Sequence, residues 1–521
     1  MHNSITPLAH NLSMIDMRTL IDLLKTTKVK HFRFRHMNQE LITRHELKPD
    51  YKHMLSLKIK KICLYALLTI LSTLVAYVGC GVTDAAENGA TPDLTKVQSG
   101  TVSNSAFFTL DRCIEIALAK NPEIAAAQWD IAVADSKLDA AQAAFWPQIS
   151  AEGGFQRYVD NQRLIAARYN GEPGVFDDDV LRGDLVARLN LYAGGRIASE
   201  VGAASKLSEA ERKKFIRTRG ELVYSVTGVF FSVLGQQKIL ASLEFSQKAL
   251  EENRKRVAQL YDAKKAAKVD LLRTEVRLVD LNQSIIKENN TLSIQKRLLF
   301  NLMGYNAVPE NARLEDKADK PNFESLDIGQ LIAAALKNRP DYMAAKDRLD
   351  AQTLRVDVAK AGHWPSVNAV GTYGLRNAPS PEDRGKNTSL TEDVGSIGIV
   401  LSVPLFEGGR VSAKISEETA ILAAARDRLR KLELQIRQET ETATLDVLSN
   451  RERFKATEKA IEQAKESLRI ESLKYELGKG SITDVLDAQS ALLQAETSNC
   501  RSCIDYHISM ARLRLATGGG L

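Results

Sequence analysis

The sequence predicts a mainly α chain with a transmembrane β part, built from one structural unit used twice. Three observations predict it. Motifs recur 214 to 218 residues apart, two stretches of 64 and 65 residues contain no proline, and four short segments alternate apolar with polar residues. Together they imply long coiled-coil helical hairpins and four strands per chain.

The duplication is visible in the motifs. Leu118-Ala119-Lys120-Asn121-Pro122-Glu123 returns as Leu336-Lys337-Asn338-Arg339-Pro340-Asp341, and Trp146-Pro147 as Trp364-Pro365, both shifted by 218. Tyr192-Ala193-Gly194-Gly195-Arg196 returns as Phe406-Glu407-Gly408-Gly409-Arg410, and Tyr261 and Asp270 return as Tyr475 and Asp484, all shifted by 214. The offset changes only between Trp-Pro and Gly-Gly-Arg, so one loop absorbs the difference in length. The repeats are assigned to 109–304 and 327–518, with a linker over 305–326 and a tail over 519–521.

The residues ahead of the first repeat differ in character. Residues 1–53 hold six of the eight histidines and show no sustained periodicity. Met54 follows, then Lys58-Ile59-Lys60-Lys61 and an uncharged apolar run from Ile62 to Gly79, the basic start and apolar middle of a secretory signal. Eighteen residues ending in small ones favour a cleaved signal over a membrane-spanning helix. Residues 1–53 are therefore read as an upstream extension of the gene, 54–86 as signal and processing region, and 87–108 as a linker. Cys80, after Val78-Gly79, is a candidate lipidation site, although Tyr77 departs from the aliphatic residue usual three before such a cysteine. Ordinary cleavage near Ala85 or Ala86 competes with it. Either route carries the chain out of the cytoplasm.

The formal charge of +6 belongs to that leading segment; from residue 81 onward 59 bases face 60 acids, so no nucleic-acid partner is implied. The later cysteines are Cys113, Cys500 and Cys503, and a single Cys-x-x-Cys within a helical pattern predicts neither a redox nor a zinc site.

Residues 110–146 and 328–363 read as helix interrupted at Pro122 and Pro340, where proline suits the first turn of a new helix. Pro147 and Pro365 end these helices, because the residue before proline is pushed out of the α region. Trp146 and Trp364 are read as packing at the helix ends. Period-two segments follow at about 148–157, 184–192, 366–376 and 394–405, each near the ten residues a tilted strand needs to cross a bilayer. Loops rich in Asn, Gly, Pro and Asp join them, at 158–183 and 377–393. Four strands leave two edges unpaired in lipid, so they require a barrel shared between subunits.

Each second strand meets a glycine pair, Gly194-Gly195 or Gly408-Gly409, suited to a tight strand-to-helix turn. Long helices then run from Arg196 to about Gln259 and from Arg410 to about Lys474, each on the order of 100 Å at ~1.5 Å per residue. Ile415, Leu422, Leu429 and Ile436 recur every seven residues, a coiled-coil seam. Return helices follow at about 270–303 and 484–517, with hairpin tips near 261–269 and 475–483. No His-Glu-x-x-His, Walker loop or Gly-x-Gly-x-x-Gly occurs and only His363 and His507 follow the signal, so an enzyme, a cofactor and a metal site are not expected. A secreted coiled-coil adhesin or structural protein is the alternative, but it leaves the paired strands unexplained.

The ordered set of Asn/Arg-Pro helix breaks, Trp-Pro exits, Gly-Gly-Arg turns and Tyr475-Glu476-Leu477-Gly478-Lys479-Gly480-Ser481-Ile482-Thr483-Asp484-Val485-Leu486-Asp487 resembles the TolC-type family of outer-membrane efflux channels over about residues 105–518. The resemblance implies a homotrimer in outer-membrane lipid. It implies a shared twelve-stranded β-barrel continuing into a long periplasmic α-barrel. It also implies a periplasmic adaptor and an inner-membrane pump, of RND or ABC type, docked at the inner end. It places Asp484 and Asp487 at the narrow periplasmic aperture, Tyr475 beside it as a latch, and Asp270 as the first-repeat equivalent. Helix capping is the competing role for Asp270 and Asp484, each at the start of a helix. Gly480 stands where relatives can carry a basic locking residue.

Overall fold

The computed structural model describes residues 107–163, 176–309, 313–315, 326–377 and 391–519, all within one unit, Val102–Leu521. The upstream extension, the signal region with Cys80 and most of both linkers lie outside the described residues.

The first repeat opens with β1 (Phe107–Phe108), α1 (Leu110–Lys120) and α2 (Pro122–Gln142). Asn121 separates the helices and caps the second, its Oδ1 accepting from the Glu123 N–H at 2.8 Å. A single 3₁₀ turn, Ala143–Phe145, ends at Trp146, whose ψ of 154° is the extended backbone that Pro147 demands. Strands β2 (Gln148–Arg163) and β3 (Phe176–Tyr192) follow, then α3 (Arg196–Asp262) and α4 (Lys268–Leu302). The second repeat gives β4 (Arg313–Leu314), α5 (Ile328–Asn338), α6 (Pro340–Lys360), β5 (Ser366–Asn377), β6 (Thr391–Ser402), α7 (Arg410–Glu476) and α8 (Ile482–Thr517). Trp364 and Pro365 repeat the same exit, with ψ 150° at the tryptophan.

β1 and β4 form a short parallel pair, and β2-β3-β5-β6 form one antiparallel sheet in that order. The join between repeats is the β3–β5 ladder, with Leu185 opposite Tyr373. The strands differ from the sequence expectation by more than one residue at four ends, one of them the start of β6, at Thr391 rather than 394. β2 and β3 run to Arg163 and from Phe176, well into the expected loop, because the ladder continues where apolar alternation stops. There Arg157 donates to both Asp179 oxygens at 2.8 and 2.6 Å, a charge-assisted pair that apolar periodicity does not register. β6 ends at Ser402 rather than 405, since Pro404 cannot donate to a ladder.

Helices pack in a row, α2 on α3, α3 on α6, and α6 on α7, while farther along α3 packs on α4 and α8, and α8 on α7. Three apolar clusters result. Phe230, Val233, Leu299 and Phe300 close the first repeat's base, Ala443, Val447, Tyr506 and Leu513 the second's, and Leu250, Val257, Leu281, Val485 and Leu486 join the two hairpins near their ends. The seam of α7 holds, with Leu422 and Ile436 buried and Thr440, Ala443 and Val447 continuing it.

Candidate functional site

Two places carry chemistry that packing alone does not require: the sheet and the hairpin ends. Residues at odd positions in all four strands share one sheet face, which is apolar over 149–155, 181–189, 367–375 and 395–401 and gives way beyond Phe155 to the Arg157–Asp179 pair. Ile149, Phe155, Leu185, Tyr373, Ile399 and Leu401 are all exposed on it. The even face is polar. Arg188 pairs with Glu152 at 3.0 Å, Arg376 with Asp184 at 2.6 Å, and the Thr372 and Ser396 hydroxyls hydrogen-bond at 2.7 Å. β2 and β6 each have one neighbour and one free edge. Such a sheet suits lipid on one side and water on the other.

Gly194 and Gly195 turn β3 into α3 at φ +63° and +83°, and Gly408 and Gly409 repeat the turn at +59° and +82°. A Cβ on Gly194 would stand 2.6 Å from Trp364 Cβ, so glycine is needed there for space as well as conformation. The indoles do not pack within the protomer as the sequence suggested: Trp146 is 68% and Trp364 60% exposed. Both lie where helix gives way to sheet, a position suited to amphipathic rings at a membrane boundary.

At the first tip α3 ends in a left-handed residue, Lys264 (φ +59°), with Lys265 N–H donating back to Leu260 O at 2.7 Å. At the second, Gly478 takes that conformation (φ +68°), with Lys479 N–H donating to Lys474 O at 2.8 Å. Asp270 accepts from the Ala267 N–H at 3.3 Å, and Asp484 accepts from the Ser481 N–H at 3.1 Å. Both therefore cap helices. The second cap is reciprocal, since Ser481 Oγ accepts from Thr483 N–H, whereas Ala267 has no oxygen to return the bond. Asp487, one turn further, is exposed and has no partner among the described residues.

Tyr475 packs half-buried against the apolar cluster joining the hairpins. Burial, then the nearby Asp270 carboxylate, pushes its phenol pKa up, against a smaller opposing effect of Arg256. Tyr475 and Asp270 thus come together across the two hairpins. Sequence reasoning missed two further cross-hairpin contacts: Arg256 pairs with Glu476 at 2.9 Å, and Arg273 donates to Thr483 Oγ1 at 2.8 Å. Aligning the repeats supplies a signal, because Arg273 occupies the position of Asp487. A Cβ on Gly480 would meet Lys474 Cβ at 3.0 Å and Tyr475 N at 3.2 Å, so this turn is too tight for a larger residue without adjustment. Cys500 lies in the same apolar cluster, and burial pushes its thiol pKa up. Among the described residues no three potential metal ligands converge.

The family model for "Outer membrane efflux protein" matches residues 113–305 and 331–519. The chain belongs to that family. It is 24% identical to the outer membrane protein TolC of Vibrio cholerae over 80% of this chain and 93% of the relative. It is 21% identical to the outer membrane efflux protein BepC of Brucella suis, over 79% and 85%. The outer membrane protein VceC of Vibrio cholerae has a similar fold, with TM-score 0.66 at 20% identity over 79% of this chain and 96% of that one. The outer membrane efflux family is thus matched in both repeats, from the α1 region to the end of α8.

Proposed function

We propose that three copies of this chain form the exit channel of a tripartite efflux or type I secretion system in the outer membrane. The observation that carries this reading is the four-stranded sheet with an uncovered apolar face and two free edges. In lipid each unpaired backbone group costs several kcal/mol, so β6 of one protomer pairs with β2 of the next to close twelve strands. The repeat sets the register. Leu185 faces Tyr373 inside the chain, so Ile399 faces Phe155 of the next protomer. The helical hairpins continue the conduit into the periplasm. Substrates delivered by a periplasmic adaptor and an RND- or ABC-type inner-membrane pump pass through passively, and the pump supplies the energy. The 54–86 segment directs export, and the two repeats at 109–304 and 327–518 build the wall.

At the periplasmic end, three-fold symmetry turns Asp484 and Asp487 into carboxylate rings that attract cations and repel anions. Asp487 is the stronger pore-lining group because no cap engages it. Tyr475, set against Asp270, helps hold the hairpins together in the closed state. The test has two stages. Wild-type protein should fractionate with the outer membrane, migrate as a heat-modifiable trimer and conduct in planar bilayers. Asp484→Ala with Asp487→Ala should then abolish block by multivalent cations; unchanged block would refute the ring assignment while leaving the channel intact. A soluble, non-conducting monomer would refute the channel itself.

A further inference from the structure

Next to the sheet, the four helices of the row leave a groove between them. Lys137 of α2, Arg196 of α3, Arg355 of α6, and Arg410 and Lys414 of α7 line it, around a cavity of about 650 Å³. α2 and α7 stand at opposite ends of the row α2–α3–α6–α7, so a groove lined by both ends lies on its concave side. The sheet gives the same answer. Ala144, in the turn that continues α2, stands seven residues beyond Lys137 and so above it on one stripe. Asn190, on the polar sheet face, donates to the Ala144 carbonyl at 3.5 Å. The groove therefore continues the polar side of the sheet, not the apolar one.

Its charge is positive and repeated. Five bases line it against two acids, Glu200 and Glu418. Three of the five are paired: Arg196 with Glu200 at 3.3 Å, Arg410 with Glu407 at 2.6 Å, and Lys414 with Glu417 and Glu418 at 2.9 and 3.1 Å. Lys137 and Arg355 are exposed and have no hydrogen bond or ion pair among the described residues. These two match each other by the 218 offset, and Arg196 matches Arg410 by the 214 offset. The acids do not recur, since Lys414 matches Glu200 and Ala204 matches Glu418. No partner in the chain holds Lys137 or Arg355, yet both repeats carry a cation there. The sheet end of the groove adds to the field. The N-caps of α3 and α7 are Gly195 and Gly409, which have no side chain to receive the free N–H groups, so each helix end keeps roughly half a positive charge.

We infer that this groove is an anion-binding site on the wall of the conduit, for cargo that carries multivalent oxyanion groups. Lys137 and Arg355 supply the unpaired cations, one from each repeat. Arg196, Arg410 and the two open helix ends raise the potential above them. A compact anion with several charges engages both cations at once, whereas a monovalent one gains a single charge-assisted contact. The inference rests on the channel reading above, which turns the concave side into the lumen, and it names a class of cargo for that channel. Trimerisation repeats the cation pair around one level of the wall. The acidic tips then favour cations and this collar favours anions, so the two levels of the conduit sort charge in opposite senses.

Calorimetric titration of the purified, detergent-held trimer with tripolyphosphate tests the site. At about 0.05 M salt, where screening is weak, binding is expected at one site per protomer, fading as salt approaches about 1 M. Lys137→Gln with Arg355→Gln should weaken it by at least about tenfold, while Lys137→Arg with Arg355→Lys should retain it. Asp484→Ala with Asp487→Ala should leave it unchanged, which places the anion away from the tips. No binding to a wild-type trimer that conducts would overturn the site and leave the channel standing. Equal binding by the glutamine pair would overturn it too. A wild-type chain that neither trimerises nor conducts refutes the channel reading, and the collar falls with it.

Discussion

The two repeats share a backbone closely and a chemistry hardly at all. At the helix break, Asn121 of the first repeat donates to Leu302 O at 2.9 Å and caps α2, while Arg339 of the second is 2% exposed and forks onto Asp341 at 3.0 and 2.6 Å and onto Glu439 at 2.6 Å. At the tip, Lys264 and Ala267 stand where the second repeat has Gly478 and Ser481. Along the return helix Arg273 stands where the second has Asp487. Backbone geometry is set largely by the prolines at the helix breaks and exits and by the Gly-Gly turns, which duplication preserved. Side chains answer to their neighbours, and the matching positions of a two-repeat protomer have different ones.

The helix break offers the largest test of that difference. Arg339→Ala leaves the Asp341 carboxylate partly buried without its fork, and should cost about 2–3 kcal/mol, less than a fully buried pair because Glu439 remains half in water. Asn121→Ala should cost only ~1 kcal/mol, the worth of an N-cap. Thermal unfolding followed by circular dichroism separates them, and equal losses would mean the two breaks are equivalent after all. The pair also carries a pH signature. Burial opposes ionisation of Asp341, yet hydrogen bonds and charge from Arg339 outweigh it and hold the carboxyl below its usual value of 3.8. A depressed carboxylate adds stability above its unfolded pKa and loses it as pH falls through the folded one. The stability gap between wild type and Arg339→Ala should therefore narrow below about pH 4.

The tip caps come next. Ser481→Ala removes a capping oxygen and should destabilise the second tip by about 1 kcal/mol, whereas Ala267→Ser completes the half-formed box of the first and should stabilise it by up to a similar amount. Hydrogen exchange at the amides of Thr483 and Val269 reads each tip separately. Opposite signs are expected, and matching signs would show that the second hydrogen bond contributes nothing.

Much of this architecture is legible in the sequence because local rules govern it. Pro122, Pro340, Pro147 and Pro365 set helix starts and exits, and the Gly-Gly pairs set the turns. Other features depend on partners distant in the chain. The β3–β5 join brings Leu185 to Tyr373 across the two repeats, and no alternation in either strand specifies it. The upper β2–β3 ladder rests on Arg157 and Asp179, polar residues that read as loop. The cross-hairpin contacts Arg256–Glu476 and Arg273–Thr483 require knowing which helices lie side by side. Asp484 illustrates both sides: its capping role follows from its place after Ser481, but a pore-facing role depends on symmetry that one chain does not express.

The smallest effect concerns the two left-handed tip residues. Lys264 holds φ +59° and Gly478 holds +68° in the same hydrogen-bonded turn, and nothing stands within 4 Å of a Cβ built on Gly478. Space is therefore equal at the second tip, and only backbone conformation is at stake. A lysine in this region carries a penalty of roughly 1 kcal/mol that glycine avoids, partly offset by the freedom glycine adds to the unfolded chain. Lys264→Gly should then gain a few tenths to about 1 kcal/mol, and Gly478→Lys should lose a similar amount. Hydrogen exchange at the tip amides measures both. If Lys264→Gly instead loosens the first tip, its side chain is making a contact that compensates its backbone, and the two tips differ in their neighbours even at the turn.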